Sequence, residues 1–172
     1  MIEVLATHEL NEQRLKQALL FCGSASKLEA SKVGWIPFAA YQGAHDQGRI
    51  LICFNNDDIV GFCLWQQRFD EVKIYQIWVR QDARLILHGR ALCTELATRT
   101  IARRGRLIRL WCAQDLAANI FWHSLGFENR GWRWGPKRTS KRRHNLWVKS
   151  TLEIISEATV PLPTATQNES VG

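Results

Sequence analysis

The 172-residue chain is 46% apolar and 23% charged, with only four prolines, a composition that fits one soluble domain with a real core and excludes a disordered or multidomain polypeptide. Its longest apolar runs, such as Ile50 to Phe54 and Ile59 to Trp65, fall far short of the roughly 18 to 20 residues a bilayer span needs; with no basic n-region or long h-region at Met1-Ile2-Glu3-Val4, neither membrane insertion nor secretion is expected. The net charge of +7 is uneven: Lys and Arg number 7 against 9 acids over residues 1–79, 16 against 4 over 80–149, and 0 against 3 over 150–172, so any polyanionic partner belongs to the middle segment.

In chain order, Ile2 to Ala6 reads as a short strand. Thr7 stands as the N-cap of a helix carrying Leu10, Leu15, Ala18, Leu19 and Phe21 and ending at Gly23. Gly34, Pro37, Gly43 and Gly48 break the periodicity that follows, so residues 24–48 are expected to be loop-rich and to face substrate, with a short helix at most over Lys27 to Lys32. Arg49 to Phe54 and Ile59 to Trp65 are β-rich runs joined by Asn55-Asn56-Asp57-Asp58, a hairpin whose turn residues tolerate left-handed backbone. Val72 to Val79 is a third strand, with strict alternation placing Tyr75, Ile77 and Val79 on one face and Ile74, Gln76 and Trp78 on the other.

Gly89 to Arg103 then has helical spacing at Leu92, Leu96 and Ile101, with Gly105 as its stop. Leu107 to Cys112 is a strand, and Asp115 to Ser124 a helix with an acid in its first turn and Gly126 beyond its end. Two strands follow, Phe127 to Trp134 and Asn145 to Lys149, joined by a basic connection. Residues 1–150 form one domain in this reading, and residues 151–172 a largely disordered tail. The fold class is α/β.

Cys22, Cys53, Cys63, Cys93 and Cys112 are an odd, scattered set with apolar neighbours and no C-x-x-C, which reads as reduced core thiols in a cytoplasmic protein. The five histidines make no metal-ligand spacing with one another, and no metal is expected.

Two stretches carry a family resemblance. Val79-Arg-Gln-Asp-Ala-Arg84-Leu-Ile-Leu-His-Gly89-Arg-Ala-Leu resembles the V-x-P-x-x-R-x-x-G-x-G-x-x-L pyrophosphate loop of the GNAT (GCN5-related N-acetyltransferase) superfamily. Asp115-Leu-Ala-Ala118-Asn-Ile-Phe121-Trp122-His-Ser-Leu125-Gly126-Phe127 is similar to its second signature, N-x-x-A-x-x-F-Y-x-x-L-G-F. The resemblance spans about residues 50 to 149. It implies the GNAT acyl-CoA N-acyltransferase fold, a mixed central sheet of six to seven strands flanked by about four helices, with acetyl-CoA or another acyl-CoA as co-substrate and no metal.

Physically, a loop that leaves a strand and opens a helix presents unpaired N–H groups and a positive dipole end to a diphosphate. Gly89 would let backbone approach phosphate there, and Arg84, His88 and Arg90 would add donors. By resemblance, the Val72 to Val79 strand splays from the Leu107 to Cys112 strand, and the backbone at Ile77, Trp78 and Val79 holds the pantetheine and polarises the thioester carbonyl. Asp115 and Trp122 are further cofactor contacts. Leu87 stands where the family has its first glycine, and Trp122 where it has a tyrosine acid; an indole N–H donates a hydrogen bond but has no useful acidity. Tyr75 and His123 are the remaining candidates for acid–base work.

The acceptor is an amine of unspecified class. From Arg130 to Lys149 the chain interleaves basic residues, among them Arg130, Lys137, Arg138, Lys141, Arg142 and Arg143, with Trp132, Trp134 and Trp147 and no acid, a pattern suited to phosphates and exposed bases. The alternative is a solvated hairpin tip whose tryptophans enter the core. Three functions stay open: an N-acyltransferase on a small molecule or protein; a nucleic-acid-modifying enzyme of the same fold, as aminoacyl-tRNA acetylating toxins and Mom-type proteins are; and a non-catalytic CoA- or nucleic-acid-binding module. Oligomeric state is not encoded in any of these patterns.

Overall fold

The computed structural model describes residues 1–29, 34–84, 86–135 and 142–159. The elements run β1 (Ile2–Ala6), α1 (Glu12–Leu28), α2 (Phe38–Asp46), β2 (Ile50–Asn55), β3 (Asp58–Arg68), β4 (Glu71–Val79), α3 (Ile86–Ala102), β5 (Leu107–Ala113), α4 (Ala118–Ser124), β6 (Glu128–Trp134), β7 (Arg143–Ser150) and α5 (Thr151–Thr159). The strands form one seven-stranded sheet in the order β1-β2-β3-β4-β5-β7-β6. All neighbours are antiparallel except β4 and β5, which are parallel. This is the mixed sheet expected from the sequence, with five α-helices among the described residues.

The two sheet faces have separate cores. On one, α3 packs against β1 to β4, and Leu92, Leu96, Trp65, Val72, Ile108 and Trp122 join a single buried cluster. On the other, α1 and α2 cover the β2–β3 side, with Cys22, Tyr41, Ile50, Phe54 and Phe62 at its centre. Side chains as large as Trp65, Phe54 and Phe62 are wholly buried, each contributing about 2 to 3 kcal/mol of apolar transfer free energy.

The N-terminal third departs from the sequence reading. Thr7 begins a 3₁₀ turn, and Asn11 is the N-cap of α1, accepting the Arg14 N–H at 2.9 Å. Gly23 does not end that helix; it lies inside α1, where an added Cβ would come within 3.1 Å of the Phe38 ring, so the glycine lets α1 and α2 pack closely. The expected loop over residues 24–48 instead holds α2, entered through Pro37, whose fixed φ suits a helix start. Its apolar residues Tyr41 and Ala44 face the core; Gly43 lies inside the helix, and Gly34 and Gly48 flank it.

The β2–β3 hairpin turns at Asn56, whose φ is 55°. On β4 the expected alternation fails at one residue. Leu64 pairs with Gln76 and Trp65 with Ile74, which leaves Tyr75 as an extra, bulged residue. The bulge reverses the phase of the strand. Val72 and Ile74 therefore share the α3-side cluster with Ile77 and Val79, while Gln76 and Trp78 face α1 and α2. Beyond Ser150 the chain continues directly into α5, where a disordered tail was expected; α5 packs on α3 and β7, with Ile154 buried.

Candidate active site

The parallel ladder between β4 and β5 is only four pairs long, from Glu71 opposite Leu107 to Ile74 opposite Leu110. Past it, Tyr75–Val79 and Trp111–Ala113 diverge, because β4 stays paired with β3 and β5 with β7. The result is a wedge-shaped cleft lined by backbone. The Arg80 N–H bonds the Val60 carbonyl on the β3 side at 2.7 Å. By the two-residue period of the strand, the Trp78 N–H also points to β3, and those of Ile77 and Val79 point into the cleft, where no strand pairs with them. Of the three backbone positions expected to hold a thioester, two thus present free donors and the third is spent in the sheet. Gly61 makes this arrangement compact, since a Cβ on it would stand 2.8 Å from the Trp78 carbonyl.

At the top of the cleft, the 3₁₀ turn Gln81–Ala83 leads into α3, whose first-turn N–H groups have no intrahelical acceptor. The side chains expected to add phosphate donors have other partners. Arg84 Nε donates to the Val79 carbonyl at 3.0 Å, and its Nη2 pairs with Glu29 Oε1 at 2.7 Å, tying the turn to the end of α1. Arg90 Nη2 donates to the Glu157 carbonyl on α5. His88 is buried, its Nδ1–H donating to the Ala83 carbonyl at 2.8 Å while Nε2 has no partner among the described residues.

Gly89 is buried against α4. An added Cβ would lie 2.6 Å from the Phe121 ring, so the glycine lets α3 and α4 pack closely. Leu87, at the family's glycine position, keeps its side chain 41% exposed on the first turn of α3.

Trp122 is 2% exposed, with the rings of Phe121 and Phe127 at 4.9 and 5.0 Å. It anchors α4 to the sheet. His123 is exposed on the outer side of α4. Asp115 accepts both Nε and Nη2 of Arg142, with N···O distances from 2.8 to 3.1 Å. Those bonds hold its carboxyl below the ordinary range. Both tyrosines of the chain have partners outside the cleft: Tyr75 OH donates to Gln66 Oε1 at 2.9 Å on the exposed face, and Tyr41 OH donates to Gln76 Oε1 at 2.5 Å in the α1–α2 core.

Of the basic residues singled out between β6 and β7, Arg130 pairs with Glu128, Arg142 with Asp115, and Arg143 stacks over Trp132 and Trp134 at 4.7 and 4.9 Å. Lys137, Arg138 and Lys141 lie outside the described residues.

Two residues with structural claims on the cleft were not singled out from sequence. Gln76, buried on β4 beside Ile77, also donates to the Gly34 carbonyl at 2.5 Å and so fixes the segment before α2. Asn119 joins the end of β5 to α4 and β7. The available signal was a polar residue inside an apolar run, which also describes many solvent-facing positions.

Residues 46–129 match the family model described as an acetyltransferase (GNAT) domain. A comparison with curated proteins finds no match. Among solved structures, the ribosomal-protein-S18-alanine N-acetyltransferase from Escherichia coli is 18% identical, with a TM-score of 0.68 over 88% of this chain and 94% of that one. Ard1 from Thermoplasma volcanium is 12% identical, with a TM-score of 0.71 over 87% and 97%. The yncA structure from Salmonella typhimurium, which holds its cofactor acetyl-CoA, is 13% identical, with a TM-score of 0.68 over 95% and 99%. At such identities the likeness is one of fold. The family match over residues 46–129 and the split between β4 and β5 agree: this stretch is similar to a GNAT acetyltransferase domain, and the chain has the GNAT fold.

Proposed function

We propose that the protein is an acyl-CoA-dependent N-acyltransferase, with acetyl-CoA as the donor, that passes the acyl group directly to an amine. The observation that carries this reading is the β4–β5 cleft with the unpaired N–H groups of Ile77 and Val79 on its wall. The donor supplies a thioester, a carbonyl already activated toward amines. The chain supplies two backbone donors, fixed by a strand, at a place suited to negative charge developing on the carbonyl oxygen. The first turn of α3 offers further N–H groups and a positive dipole end for a diphosphate. The structural relative from Salmonella typhimurium that holds acetyl-CoA supports the choice of donor.

The acid–base part follows from where the tyrosines are. With Tyr75 bonded to Gln66 and Tyr41 to Gln76, neither phenol serves the leaving thiolate in this geometry. The attacking amine must arrive neutral and gives up its proton to water as the C–N bond forms and the C–S bond breaks; the thiolate leaves with water as its proton source, which its low basicity permits. The rate should therefore rise with pH up to the pKa of the acceptor amine and show no falling limb from a protein phenol.

Acetyl-CoA at about 100 times its dissociation constant should stabilise the protein by roughly 2.7 kcal/mol. Absence of any thermal shift at millimolar acetyl-CoA would sink the reading. Mass spectrometry of amines, peptides and nucleic acids incubated with protein and labelled donor then identifies the acceptor.

A further inference from the structure

The sheet face opposite α3 is only half covered. The helices α1 and α2 lie over the β2–β3 side, and among the described residues no helix packs on that face of β5, β7 or β6. The open half is cationic and aromatic. Lys73 Nζ lies 4.2 Å from the centre of the Tyr75 ring, and the Arg133 guanidinium lies 4.1 Å from that of Trp111. Arg68 and Arg109 stand close by; Glu71 pairs with Arg109 at 2.8 Å, and the register puts Glu128, paired with Arg130, on the same face. Desolvation first, then the nearby Arg133, Arg109 and Arg68, pull the Lys73 ammonium below its ordinary pKa. The register puts Arg143, Trp132 and Trp134 on the other face of the β6 edge, with Asn145 and Trp147, so they are not part of this surface.

We propose that this open face of β4, β5, β7 and β6 binds single-stranded nucleic acid. Excess cations meet phosphates, and the rings of Tyr75 and Trp111 offer stacking surfaces once their covering cations turn to phosphate. A flat sheet stacks unpaired bases and enters neither groove of a duplex, so a single strand fits better than a double one. An acidic polypeptide would satisfy the cations but leave the rings unused. Tyr75 and Trp111 are the first residues beyond the last β4–β5 pair, so a strand lying there reaches the mouth of the cleft. That it presents the acceptor amine rests on the acyltransfer reading; the binding itself does not.

The test is fluorescence anisotropy of a labelled single-stranded RNA of about 12 nucleotides with the full chain. Binding should weaken with salt, with a log–log slope of about −2 to −3, as three or four neutralised phosphates require. Arg133→Glu should reduce binding at least tenfold, Lys73→Glu likewise, and Tyr75→Leu about tenfold with little change in the salt slope. Circular dichroism and the acetyl-CoA thermal shift, read on the same samples, separate loss of this surface from loss of the fold or of the cofactor site. No binding by folded protein at about 50 mM salt overturns the proposal. So do unchanged affinities in all three variants, equal binding of duplex, or equal competition by polyglutamate, the last pointing to an acidic protein partner.

Discussion

The indole N–H of Trp147 donates to Asn119 Oδ1 at 2.9 Å, while the Asn119 amide donates to the carbonyls of Ala113 and Leu116 at 2.7 and 2.8 Å. One side chain thus fixes the end of β5, the turn into α4 and the middle of β7. Asn119→Ala strands a largely buried indole N–H and takes one donor from each of two carbonyls that keep backbone partners, so it should cost about 1 to 2 kcal/mol. A urea melt reads this as a lowered midpoint at unchanged slope. Asn119→Asp keeps an acceptor for Trp147 but turns a carboxylate oxygen onto the Ala113 and Leu116 carbonyls, so it should not recover the loss.

Gly89→Ala sets two effects against each other. Helix propensity favours alanine by about 1 kcal/mol, but the new Cβ meets the Phe121 ring at 2.6 Å, and overpacking costs about 1 to 3 kcal/mol. We expect net destabilisation, relieved when Phe121→Leu is added. A double-mutant cycle with no coupling between positions 89 and 121 would contradict the packing role.

How much of this was legible in the sequence depends on how local the cause is. The strands from Ile50 onward, the hairpin turn and the α3 and β5 elements have period, turn chemistry and stop signals within a few residues, and the structure has them within two or three positions. What the sequence hid was set by contacts between distant segments. Gly23 reads as a helix stop because a glycine's other use, making room for Phe38, depends on α2 lying across it. The β4 bulge at Tyr75 has no local signature; it shows only against the register of β3. The same holds at the site. Arg84, His88 and Arg90 sit where a phosphate loop would place them, yet Glu29 and Glu157, far outside the motif, and the Ala83 carbonyl within it decide what those side chains bond.

Lys149 is the most buried charge of the described ion pairs. Its ammonium, 2% exposed, pairs with Glu157 Oε2 and donates to the Leu125 carbonyl. Removing the acid leaves that charge buried with only a carbonyl, whereas removing the lysine leaves a half-exposed glutamate free to solvate. Glu157→Ala should therefore destabilise more than Lys149→Met, by about 3 kcal/mol against about 1 to 2 kcal/mol. Equal losses in chemical denaturation would mean the pair acts only through packing.

Glu9 gives a pH signature. Partial burial raises its pKa, but the Ala6 N–H at 2.6 Å and the Arg99 guanidinium at 2.8 and 2.9 Å outweigh this and hold the carboxyl below its ordinary value. A lowered folded-state pKa means stability present above the unfolded value and lost as pH falls through the folded one. Wild-type stability should fall below about pH 4.5. Glu9→Gln should be less stable at pH 7 by about 1 kcal/mol and lose less of its stability on acidification. Parallel pH–stability curves for the two proteins would refute this.

The four-pair ladder between β4 and β5 has a mechanical consequence. It divides the sheet into two leaves, β1 to β4 with α3 on one and β5, β7 and β6 on the other, joined along a short seam. The chain leaves the second leaf at Ser150 and lays α5 on α3, which belongs to the first, where Arg90 and Lys149 both engage Glu157. That closes a loop of contacts around the seam. Any widening of the cleft must stretch the α3–α5 contact on the opposite side of the sheet, so the final helix acts as a clasp whose tightness sets how far the two leaves can part.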